Sequence, residues 1–319
     1  MTFASAAVPT KLLLSAGLAA LSLPSLHAEP HCPGNAAILP FRLVLGSEII
    51  APVLINHLGP YNFLVDTGSQ VTTLEPSLAF ELHLKTQGKV GIIGVGSSRK
   101  AQLTQIDLLE AGSQGVANSV VGVSGLQDLQ AAGLPIRGIL GQDFLGHFDL
   151  LMDYTQKILC LDGMKVMRGQ VNGVRVELIS PVPAADGVPS TGLLLIPVHL
   201  SRAGTRQLLL ALDSAAQMLL LYDPGQDPDP EVPGSRVVEA QGGAGGKRAI
   251  AVLPPQKMQI GSLSFQEISV TVPSGLWESP RVSQVDGLLP TVLFRRVFIS
   301  SADHFAILDT QRGSRRKPD

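Results

Sequence analysis

Short apolar or alternating runs, punctuated by Gly, Asn and Ser, fill most of the chain. In the first half these are "FRLVLGSEIIAPVLIN" from Phe41, "NFLVDT" from Asn62, "QIDLLEA" from Gln105 and "NSVVGVSG" from Asn118. In the second half they are "GLLLIPVHL" from Gly192, "RQLLLAL" from Arg206, "KMQIGSLSFQEISVTV" from Lys257 and "FAILD" from Phe305. Runs of this length and period predict β-strands joined by turns. Helical signals are confined to "EPSLAFELHLK" from Glu75, where Pro76 suits a first turn, and "GQDFLGHF" from Gly141. Clusters of Pro, Gly and Asp predict a linker over 166–190 and a surface loop from Asp223. The polar end, 313–319, is expected to fray.

The runs recur in a fixed order. "GPYNFLVDTGSQ" around Asp66 has a partner in "TRQLLLALDSAAQ" around Asp213, 147 residues on. "RGILGQDFLGHF" from Arg137 pairs with "DGLLPTVLFRRVF" from Asp286, with Gly138 and Gly287 149 residues apart. Gly112 and Gly261 open a third matching pair, and "APVLI" and "IPVHL" a fourth. Four segments in one register predict a unit duplicated in tandem, with lobes at 37–165 and 191–312.

Each copy carries an Asp where an apolar strand ends. A carboxylate there is costly to bury unless donors or a second acid meet it. The residues that follow suit that need, because Thr or Ser supplies a hydroxyl and Gly lets backbone approach closely. Two such carboxyls brought face to face share one proton over a wide pH range.

"FLVDTGS" together with "GILGQDF" resembles the retropepsin-like and pepsin-like aspartic peptidases. The resemblance implies an all-β fold of two retropepsin-like β-barrel lobes related by a pseudo-two-fold, with few short helices. It implies Asp66 and Asp213 as the catalytic pair, supported by Thr67, Gly68, Ser69, Ser214 and Ala215. Ile139, Leu140 and Gly141 would pack against the first Asp turn, Thr67 and Ser214 would bond across the lobe interface, and Ser69 would bond the outer oxygen of Asp66. The substrate would be a peptide or protein, with no cofactor and no metal. Glycine-rich "GIIGVGSSRKA" and "QGGAGGKRAIA" are candidate flap hairpins, with Gly94, Gly96, Gly245 and Gly246 at their tips, or else ordinary surface turns. No Tyr lies between Tyr61 and Tyr154, so a flap tyrosine of the pepsin type is missing.

The second copy departs from the motif at Ala215, where the family has Gly, and at Pro290, which takes the place of Gly141. Two readings therefore stand: an aspartic endopeptidase with one Asp per lobe, or a weak or inactive peptide-binding pseudo-peptidase with a degenerate second lobe. A third arrangement would pair Asp66 from two chains.

Composition narrows the class. The 319 residues are 45% hydrophobic, 16% charged and 4% aromatic, with a formal net charge of -2. That balance excludes a dedicated nucleic-acid binder, which carries a basic surplus and stacking aromatics. Lys11, the apolar stretch after it and "LHA" ending at Ala28 read as an export signal over 1–28. The expectation is a periplasmic or secreted monomer, free of the membrane once the signal is removed. Cys32 and Cys160 suit either a disulfide or a buried free thiol at Cys160.

Overall fold

The computed structural model describes residues 29–94, 97–179, 192–222, 235–242, 246–274, 285–310 and 315–316. The expected export signal lies outside them, as does 180–191 of the expected linker and nearly all of the loop after Asp223. The described residues form three sheets, and the fold is all-β and two-lobed.

An eight-stranded sheet belongs to the first half of the chain and a ten-stranded sheet to the second. Their centres have the same plan. In the first, Leu58–Val65 pairs antiparallel with Glu48–Ile55 and parallel with Gly138–Leu140. Gly138–Leu140 then pairs antiparallel with Thr73–Leu74. In the second, Gln207–Asp213 pairs antiparallel with Leu195–Leu200 and parallel with Gly287–Pro290. Gly287–Pro290 then pairs antiparallel with Leu219–Leu221. Both inserted strands begin with glycine for want of space. A Cβ on Gly138 would lie 2.2 Å from a Phe63 ring carbon, and one on Gly287 1.9 Å from the Leu220 carbonyl oxygen.

The third sheet has six strands and joins the halves. Asp149–Asp153 runs antiparallel to Arg296–Ser300, with Leu151 opposite Phe298. One apolar cluster runs through both lobes and includes Phe63, Leu140 and Phe144 with Leu210, Leu289 and Phe294. Burying these side chains contributes on the order of 2 kcal/mol each. Cys32 and Cys160 are joined by a disulfide, which ties the segment before the first strand to this sheet.

Helices stand at both predicted places, Pro76–Glu81 and Gln142–Leu145. Two differences concern polar stretches. Within the expected linker, Val174–Glu177 forms an edge strand against Phe305–Asp309. Its alternating Val-Arg-Val-Glu is a period-two strand that the surrounding Gly and Pro obscure. In the expected tail, Arg315–Arg316 pairs with Leu263 and Ser264.

Candidate active site

The Asp66 and Asp213 turns meet where the two lobes join. Each strand carries its Asp past the last apolar residue, into a tight turn whose backbone N–H groups fold back onto the carboxylate. Gly68 and Ser69 donate from N–H to Asp66 Oδ1 at 2.9 and 3.1 Å. Ala215 donates to Asp213 Oδ1 at 2.7 Å, and the Ala216 N–H also bonds Asp213.

The turns are locked by a reciprocal set of bonds. The Thr67 hydroxyl donates to the Leu212 carbonyl at 2.7 Å and accepts from the Ser214 N–H at 3.0 Å. The Ser214 hydroxyl donates to the Val65 carbonyl at 2.7 Å and accepts from the Thr67 N–H at 3.0 Å. Thr67 and Ser214 are buried, so every bond stands in a low dielectric. Ser for Thr costs the second lobe none of this pattern.

A hydrogen bond joins the Asp66 and Asp213 side chains. Burial pushes Asp213 up to about 6, against the pull of its bonds to Ala215, Ala216 and Asp66. Asp66 is raised well above the ordinary carboxylate range, first by burial and then by the Asp213 charge beside it. Two acids so placed hold one proton between them across mildly acidic and near-neutral pH.

Gly68 is required by proximity. A Cβ there would lie 2.7 Å from Asp213 Oδ2 and 2.8 Å from its Cγ. Gly68→Ala is therefore expected to displace the Asp213 carboxyl and cut kcat/KM by roughly 10²-fold, since small misplacements at reacting groups are expensive. Peptide kinetics beside a melting curve checks this, with the curve nearly unchanged. Ala215 meets no such obstacle. Its φ is not positive, and its methyl packs on the cluster of Ile50 and Leu64 in the first lobe.

Ile139, Leu140 and Gly141 lie where expected. Asp66 N–H donates to the Leu140 carbonyl at 3.0 Å, and Gly141 N–H to the Thr72 hydroxyl at 3.1 Å. Pro290, the register equivalent of Gly141, has no N–H to give. Ser69 departs from expectation, because its hydroxyl turns to the Val71 carbonyl at 3.1 Å and only its N–H serves Asp66. Gly94 and Gly246 are at the inner ends of antiparallel hairpins, paired with Ser97 and Gly242. Gly96 and Gly245 lie outside the described residues.

Several supporting groups escaped the sequence reading. Asp143 accepts from both the N–H and the hydroxyl of Thr72, at 2.8 and 2.6 Å, and so pins the first turn to the Gln142–Leu145 helix. Gln142 donates to the Thr67 carbonyl at 3.1 Å. Tyr222 lies near both aspartates; burial foremost, and then their charges, raise its phenol. Glu48, at the head of a strand, is only 4% exposed. Its burial foremost, and then the Asp213 charge, lift it to about 7, opposed by a hydrogen bond from Gln217.

Two acids meeting at the junction of two β-lobes define an aspartic-peptidase-type arrangement, and the comparisons agree. Residues 51–144 match the aspartyl protease family model. The aspartic proteinase from Irpex lacteus superposes with a TM-score of 0.56 over 87% of this chain and 98% of its own, at 13% identity. No curated protein matches the sequence. The chain has the aspartic proteinase fold, and its first lobe carries the aspartyl protease sequence pattern.

Proposed function

We propose that the protein is an exported aspartic endopeptidase that cleaves peptide bonds with a water activated between Asp66 and Asp213. The reading rests on one observation: two acids, one from each lobe, are hydrogen-bonded to each other and raised toward neutral pH. In this reading the ionised carboxyl takes a proton from the water, which attacks the scissile carbonyl. The protonated partner donates to the carbonyl oxygen as charge develops there. No covalent intermediate and no metal take part. The Thr86–Gly94/Ser97–Ala111 and Arg236–Gly242/Gly246–Val252 hairpins are the candidate covers of the cleft. The tandem register of the sequence supports descent from a duplicated single lobe, and the Lys11-led apolar stretch supports export.

Pro290, lacking the N–H that Gly141 gives Thr72, favours the alternative of a peptide binder without turnover. One experiment separates them. The purified protein is incubated with a mixed peptide pool from about pH 3 to about pH 8, a range set by the carboxyl titrations. Cleavage that Asp213→Asn abolishes supports the endopeptidase. Peptide binding without cleavage, unchanged by Asp213→Asn, supports the binder.

A further inference from the structure

Glu48 is a third acid at the aspartate pair, and nothing in the two-acid mechanism uses it. Its place follows from strand register. Ile50 stands opposite Leu64, so two residues back along one strand and two forward along the other bring Glu48 opposite Asp66 on the same face. The same step in the second lobe, from Leu195 opposite Ala211, brings Leu193 opposite Asp213. The lobes thus differ at matching positions: acid in one, apolar in the other.

The Glu48 side chain is buried and crosses the lobe boundary. Its Oε1 accepts from the Gln217 side-chain amide at 2.9 Å, four residues past Asp213. Its buried Oε2 has no hydrogen-bond partner among the described residues. No cation pairs with it among those residues. The titratable groups facing it are Asp66, Asp213 and Tyr154, whose hydroxyl is shared with Thr291 at 2.5 Å. An acid with one donor and two acidic neighbours stays protonated until the site is forced to hold a second negative charge.

We propose that Glu48 is a positioning residue for the aspartate pair: it takes up the site's second negative charge, against Gln217, and so leaves the shared proton on Asp66 and Asp213. Charge on Glu48 raises Asp66 further, so the pair keeps its proton to higher pH than two aspartates alone. Its effect is to widen the working range of the pair toward neutral pH. This inference rests on the endopeptidase reading for its kinetic consequence, but not for the titration itself.

Glu48→Gln tests it, because an amide oxygen still accepts from Gln217 and only the titration is lost. With each kcat/KM profile scaled to its own maximum, the alkaline limb of Glu48→Gln should fall about half a pH unit or more lower than in the parent protein. Gln217→Leu withdraws the donor, delays ionisation of Glu48 and should move the limb the same way. An unmoved limb in both variants overturns the proposal while leaving the endopeptidase reading intact. Infrared spectroscopy supplies a readout free of turnover. A protonated-carboxyl band present at about pH 6 should be lost in Glu48→Gln, and the remaining bands should titrate at lower pH. If no peptide is cleaved, the endopeptidase reading fails and these bands decide. A spectrum that Glu48→Gln leaves unchanged overturns the proposal.

Discussion

Asp66→Asn is expected to lower kcat/KM on a peptide substrate by roughly 10³-fold, within the range general acid–base groups supply. The side chain keeps its shape, and the amide oxygen can still accept from the N–H groups of Gly68 and Ser69. What is lost is the ability to carry the pair's negative charge and to take a proton from water. Because burial and the Asp213 charge raise Asp66, its folded acid is protonated at pH values where the unfolded chain's is not. The sign follows from proton linkage. Stability from this group is complete below the ordinary carboxylate range and declines as pH rises through its raised titration. Asp66→Asn removes that decline, so the variant should melt at or above the parent temperature at neutral pH. Kinetics and calorimetry together check the prediction. Parent-level cleavage by the variant would remove Asp66 from the chemistry.

The second large effect is structural. Thr67→Val keeps the volume of a fully buried side chain but deletes one hydroxyl. The Leu212 carbonyl loses its donor and the Ser214 N–H loses its acceptor, both at the junction of the lobes. A buried polar group left unpaired costs about 1–3 kcal/mol, so the pair should cost roughly 3 kcal/mol. For a chain this size the melting temperature should drop on the order of 5 °C. Thr67→Ser, which restores the hydroxyl as Ser214 does in the second lobe, should recover most of the loss. A Thr67→Val protein that melts with the parent would mean that the turns are held by packing alone.

What could be read from the chain followed from how local each signal is. The Asp turns, the inserted Gly138 and Gly287 strands and both helices rest on residues adjacent in sequence, so pattern alone found them. Glu48 sat in "GSEII", which reads as a polar turn before a strand. Its burial arises from the register against Leu64 and from Gln217, 169 residues away. Ser69 was assigned to Asp66 by type, yet a hydroxyl at a turn has several acceptors in reach, and the Val71 carbonyl holds it. Val174–Glu177 and Arg315–Arg316 are strands only because an exposed edge awaits them, which composition cannot report.

The six-stranded sheet has one more implication. Since Asp149–Asp153 and Arg296–Ser300 are neighbours in it, neither half can be expressed alone without baring an unpaired edge, an invitation to aggregate. Covalent linkage also fixes the local concentration at which the acids find each other, which free subunits must reach by mass action. Dilution that would disarm a two-chain enzyme should therefore leave this one armed.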